Sequence, residues 1–503
     1  MKLIKQISLA LGLVMAGSAH AAANPPEQGA APFADASVRK DAELKLGYEV
    51  LDLPKNEPMG VVGASYLVEM APELFVGPAA YGAIYGDRGG FYSFGAELAW
   101  HHKIYSDLEL QTGLYLGGGG GAGGNAYWGG GLMVRPYANL LWDFGDLKAG
   151  VSASNVSFPD GGQAESTQVG LVLAMDTKLS LTNPDYVGHQ LDTDDRQGFG
   201  FDRVVPTGGV YLVDGGSKKV GGAPQEGTLG FVGARLEHFL TPEVYVGLEA
   251  IGSVSGGADG YAEFLGELGV ERELADSLTV GGRVALGTAG GGSVDVGGGF
   301  LAKAGAYATL NLTMDTHLSL EAGYTTAPDG HFDAVSTAMN LVFDLDHPFS
   351  AKLSQRIVEN EFSMGTAHYF SAATKTGAEY SADLVTIKMN RYLNDNLYLT
   401  GQTHWTFGGN FPGYGVGLFG LGYRSDRMAH GVRAGLEMLV GGGGGAGVDT
   451  RGAIVQPMAF VELPLTSMVS IKAGVGELLS VRGDLATPVV DLAVNFDYGA
   501  NGR

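Results

Sequence analysis

Three glycine runs are the first candidates for chemistry in this 503-residue sequence, at 117–121, 290–292 and 441–445. A glycine-rich loop can cradle phosphate on its backbone N–H groups, but that chemistry needs a Gly-Lys-Ser/Thr ending and a helix behind it. No run here continues in that way, and each joins two strand-like segments. Gly117, Gly121, Gly290, Gly292, Gly441 and Gly445 therefore read as structural, since glycine lets backbones approach closely or loops bend tightly. The pair His101-His102 invites a metal reading. Neighbours on a strand point to opposite faces, so the two cannot chelate one ion together, and polarity at an interface accounts for them. Asp192, Asp194 and Asp195 crowd together without the spacing of an EF-hand and read as a solvated loop. No serine stands in a nucleophile context for a Ser/His/Asp set, and the chain reads as non-enzymatic and without a cofactor.

Elements that could position such residues are constrained by composition. Lys2 and Lys5, an apolar core over 7–17 and Ala19-His20-Ala21 form the pattern of a secretory signal, so residues 1–21 are expected to be removed. The apolar core is about half the ~20 residues of a spanning helix. The longest later apolar run, 169–175, is strand-sized. An exported chain that enters a membrane without apolar helices must do so as a closed barrel, because every backbone group in lipid has to be paired within the protein. There is no cysteine, so no disulfide supports the fold. Formal net charge is −23, and −25 once Lys2 and Lys5 have left, which excludes nucleic acid as a partner and suits cations. Glycine, at 83 residues, is more than twice its usual share of ~7 per cent. Most glycines lie inside apolar alternating runs rather than in polar linkers.

The glycine runs recur in register. Pro72-Glu73-Leu74-Phe75-Val76-Gly77 returns as Pro242-Glu243-Val244-Tyr245-Val246-Gly247 and, more faintly, from Asp395 to Gly401. Thirty residues separate Gly117 from Leu147, Gly290 from Leu320 and Gly441 from Ile471. A threefold internal repeat follows. Its copies are placed at 60–177, 230–346 and 383–498, with an N-terminal segment at 22–59, spacers at 178–229 and 347–382, and a tail at 499–503.

Within each copy the apolar period is two, as in Leu108, Leu110, Thr112, Leu114 and Leu116 against Glu109, Gln111, Gly113, Tyr115 and Gly117. Such segments are half-buried strands. Short turns such as Ser106-Asp107 alternate with longer glycine-rich loops, and Trp100, Tyr105, Trp142, Phe144, Phe239 and Tyr392 gather near the short turns. The last segment carries Val490, Leu492, Val494, Phe496 and Tyr498 at every second position. On these features the chain resembles bacterial outer-membrane β-barrel proteins as a general class, with five residues following the final aromatic where the class ends on it.

The expected fold is all-β: an antiparallel up-and-down transmembrane β-barrel. Seven strands per copy plus one from each leading segment (43–53, 204–214, and 350–358 or 368–376) make about 24. They form one wide barrel, favoured because the spacers look short for free-standing domains, or three eight-stranded barrels in tandem. The expected function is a channel or transport conduit for small solutes or ions in the cell outer membrane. The alternative is a non-catalytic structural or export-accessory protein without an open pore. Outer-membrane lipid is the expected partner, with cations or small solutes as cargo, and the residues leave oligomeric state open. By strand parity Glu97, Glu109, Gln111, Arg283 and Glu437 face the lumen and would set ion preference.

Overall fold

The computed structural model describes residues 36–191, 196–225, 227–346, 349 and 355–502. The expected signal at 1–21 and the aspartates 192, 194 and 195 lie outside them. Alternating apolar and polar residues build long antiparallel strands that close into three eight-stranded rings, two of them linked by strand pairing.

Ring one comprises β1 (Ser37–Leu53), β2 (Glu57–Ala71), β3 (Leu74–Gly86), β4 (Phe91–Tyr105), β5 (Leu108–Gly121), β6 (Leu132–Asp143), β7 (Leu147–Ser157) and β8 (Glu165–Thr182). Each strand pairs with the next, and β1 pairs with β8 from Ser37↔Thr182 to Tyr48↔Leu171, so no edge remains. After the two-residue β9 (Gln190–Leu191), ring two runs through β10 (Arg203–Val213), β11 (Thr228–Phe239), β12 (Val244–Ser255), β13 (Ala262–Ala275), β14 (Leu278–Gly290), β15 (Phe300–Asn311), β16 (Thr316–Ala327) and β17 (Phe332–Asp344). It closes by pairing β10 with β17. Ring three runs through β18 (Gln355–Ala373), β19 (Glu379–Tyr392), β20 (Leu397–Gly409), β21 (Gly415–Arg424), β22 (Arg433–Gly444), β23 (Gly452–Pro464), β24 (Val469–Ser480) and β25 (Ala486–Gly502). Its seam is β18 against β25, from Arg356↔Gly502 to Tyr369↔Val489.

The favoured single wide barrel is therefore corrected: the strand pairing makes three narrow rings. The regions read as spacers supply the reason. Residues 178–229 contain the end of β8, β9 and all of β10, and 347–382 contains β18, so each ring obtains the strand that closes it. The segment 22–59 likewise holds β1, and the tail read at 499–503 continues β25 to Gly502 rather than trailing from it. Rings one and three also touch edge to edge, where β9 pairs with the start of β18 and Thr182 meets Gly499.

All rings point the same way. Turns of two to four residues, with one eight-residue exception at 425–432, lie at the end that carries the first and last strand termini. The glycine loops lie at the other end, including the short helix α1 (Asn125–Trp128). Outward side chains are apolar and exposed, as in Leu44, Leu46, Tyr48 and Val50 on β1 and Val169, Leu171, Leu173 and Met175 on β8. Inward neighbours on β1, Glu43, Lys45 and Glu49, are buried. This is the reverse of a water-soluble sandwich and the pattern of a barrel in lipid.

Candidate functional site

Two features concentrate the unusual chemistry of this chain: the three lumens, and the place where the rings meet.

An eight-stranded ring is just wide enough for its own side chains to fill. At the glycine end each lumen is closed by an apolar cluster. In ring one Met59, Phe91, Tyr115, Trp128 and Phe158 pack together. Ring two uses Tyr211, Phe231, Tyr261, Leu301 and Phe332, and ring three Tyr369, Leu384, Phe411, Tyr414 and Leu478. The Trp128 indole donates to Gly121 O at 2.8 Å, so α1 serves as a lid for ring one.

Beneath each cap lies a layer of ion pairs that bridge strands across the lumen. In ring one Lys45 pairs with Glu97. Arg135 makes a two-pronged contact with Glu49 at 2.8 and 3.0 Å. Lys148 holds Glu109 at 2.8 Å, and the Gln111 amide donates to Glu43 and to Glu109. In ring two Arg283 reaches Glu249, Glu267 and Glu321, each at 2.8 Å, while Lys303 ties Glu249 to Glu263. In ring three Lys472 meets Glu437 at 2.5 Å, Lys388 pairs with Asp491, and Arg424 holds Glu359 at 2.7 Å. Ring two encloses a cavity of about 10 Å³ among Thr207, Phe231, Ile251, Arg283, Lys303 and Glu321, room for about one water.

The sequence-derived lumen candidates thus have definite places. Glu97, Glu109, Gln111, Arg283 and Glu437 are all buried inside their rings, and all lie in these networks. Glu97, Glu109, Arg283 and Glu437 are ion-paired there, and Gln111 is hydrogen-bonded to Glu43 and Glu109.

The glycine runs end the fifth strand of each ring, and there they meet the loop between the third and fourth strands of another ring. A Cβ on Gly90 would lie 2.4 Å from Gly291 N, one on Gly413 2.1 Å from Gly121 N, and one on Gly444 2.3 Å from Gly260 N. Ring two thus contacts ring one, ring one ring three, and ring three ring two, so the contacts close a head-to-tail cycle. Hydrogen bonds reinforce it: Gly89 N to Gly297 O at 3.0 Å, Gly413 N to Gly119 O at 3.1 Å, Tyr92 Oη to Ala262 O at 2.7 Å and Thr288 Oγ1 to Ala83 O at 2.6 Å. Lys375 of ring three pairs with Asp259 of ring two at 3.2 Å. At the centre, aromatic side chains from all three rings meet, Tyr92 and Phe94 from ring one, Phe264 from ring two and Trp405 from ring three. Phe94 stacks on Trp405 with centroids 4.6 Å apart and packs on Phe264 at 4.9 Å.

No family model matches this chain, and no curated protein does. Among solved structures it is similar to OccAB3 of Acinetobacter baumannii, at 10% identity and a TM-score of 0.23 over 92% of this chain and 99% of that one. It is similar to OpdQ of Pseudomonas aeruginosa, at 10% identity and a TM-score of 0.22 over 92% and 98%. The siderophore receptor PirA of A. baumannii is similar at 9% identity and a TM-score of 0.27 over 91% and 80%. With scores this low, the functional reading rests on the residues of this chain.

Sequence reasoning missed the aromatic junction because Phe94, Phe264 and Trp405 sit on outward faces, where parity places lipid contacts. It also separated His101 from His102 without finding what His101 meets. His102 stacks on Trp100 outside the ring at 5.0 Å, while His101 is buried inside beside Glu43 and Glu109.

Proposed function

We propose that this chain is an outer-membrane protein that works as a fused three-barrel body without an open pore, a structural or export-accessory role. The carrying observation is the filling of all three lumens, each by an apolar cap above a bridged ionic layer. Exposed apolar side chains outside and paired charges inside support a membrane setting. The glycine junctions support a single rigid unit rather than three beads on a string, because backbones in contact leave no room for sliding. Planar-bilayer recording of the purified chain tests this reading. It predicts no sustained conductance steps.

A solute or cation conduit is the second reading, and one observation favours it. Among the described residues, buried strand carboxylates number four, five and five in rings one, two and three, against three buried strand cations in each. An acidic excess inside a ring attracts cations. Under this reading the ionic layers rearrange to admit them, and recordings show cation-selective steps that change when Glu437→Gln loosens the ring-three layer.

A further inference from the structure

We propose that Glu43, His101 and Glu109 form a binding site for one divalent cation of the zinc class, near the tight-turn mouth of ring one. The three residues come from β1, β4 and β5, all are buried, and one ligand atom of each lies within 4.8 Å of the others. His101 Nδ1 is 3.4 Å from Glu109 Oε1 and 3.9 Å from Glu43 Oε2. A tetrahedral ion with bonds of ~2.1 Å sets its ligands roughly 3.4 Å apart, so only small side-chain movements are required.

The donors are already held. Gln111 Nε2 donates to both oxygens of Glu43, at 2.8 and 3.1 Å, and to Glu109 at 2.9 Å. The His101 ring lies flat on Phe75, centroids 4.0 Å apart. Imidazole Nε2 is buried with no hydrogen-bond partner in the protein, and Nδ1 is the nitrogen that faces Glu43 and Glu109. One nitrogen and two carboxylates suit zinc, whereas magnesium and calcium prefer oxygen alone.

The obstacle is Lys148, whose ammonium sits 2.8 Å from Glu109 and 3.6 Å from Glu43. It also holds Asp176 at 2.8 Å, a half-exposed carboxylate at the mouth. An arriving cation takes over the two inner carboxylates while the lysine stays on Asp176. Lys148 is thus a built-in competitor. Among the described residues no group in rings two or three offers the same arrangement.

The test uses the purified full chain in detergent, stripped with a chelator and dialysed against Zn²⁺, with Mg²⁺ and Ca²⁺ as controls. Bound metal is measured directly, and folding is checked by heat-modifiable gel mobility. One zinc per folded chain is expected, unaffected by the controls and reduced to background in His101→Ala. Lys148→Gln is expected to tighten binding by on the order of tenfold or more, because a unit positive charge beside the ion is removed. Should His101→Ala fail to fold, Lys148→Gln alone decides. Substoichiometric zinc in the wild type, zinc retained in folded His101→Ala, or weaker binding in Lys148→Gln each overturns the proposal.

Discussion

Buried charge decides what a single residue is worth in this protein. Lys45 and Glu97 face each other inside ring one, and Tyr137 also donates to Glu97 at 2.5 Å. Removing only the lysine leaves a carboxylate with too few positive partners in a confined space. Lys45→Met should therefore cost about 3–5 kcal/mol of stability, and adding Glu97→Gln should return most of it. Urea titration of single and double variants folded into detergent measures both. Outward residues follow the opposite rule. Leu171 is 64% exposed on the apolar face of β8, and Leu171→Arg should cost about 2–4 kcal/mol in a bilayer if this face sits near the midplane. The same substitution in a detergent micelle should cost less, so comparing the two media checks the assignment of that face to lipid.

At the scale of elements, the glycine-ended strands decide how the rings join. Gly444 has space for no side chain, since a Cβ there would approach Gly260 N to 2.3 Å. Gly444→Val should force the ring-two and ring-three backbones apart locally while leaving each ring closed. Lys375 and Asp259 span this junction at 3.2 Å, so a zero-length carbodiimide cross-link should join them in the native protein. Mass spectrometry should find that link lost in Gly444→Val, while circular dichroism still shows strand structure. Equal cross-linking in both proteins would show that the glycine is not what brings the rings together.

For the whole molecule, closure of each ring matters more than the contacts between them. Ring two begins and ends with paired strands, β10 against β17, and so exposes no unpaired edge of its own. A fragment of residues 196–346 should refold alone in detergent to a heat-modifiable species, because its pairing and its ionic layer are internal. A fragment that runs as unfolded at every temperature would mean that the rings depend on one another to form. The cycle of junctions would then be a folding requirement as well as a means of fusion.

Much of the strand pattern was legible in one dimension. Alternation along 108–117 and the strand-sized apolar run at 169–175 identified strands, and the short turns against longer glycine loops established a common direction, because a side-chain period of two survives in any barrel. Glu97, Glu109, Gln111, Arg283 and Glu437, which parity assigns to the lumen, are buried. Closure was not legible. Whether a strand pairs with the one seven positions earlier or with a newcomer leaves no mark on either strand's alternation, since each satisfies its backbone equally well. The structure settled it by pairing β8 with β1, β17 with β10 and β25 with β18. The partner of a buried charge was equally hidden, because His101 and Glu43 are 58 positions apart and meet only through the curvature of ring one. By itself the sequence determined that this chain makes strands with a wet face, a greasy face and glycine at three strand ends. Only the tertiary structure decided that the wet faces close on themselves in three eight-stranded rings, and that the glycines bring backbone against backbone between rings.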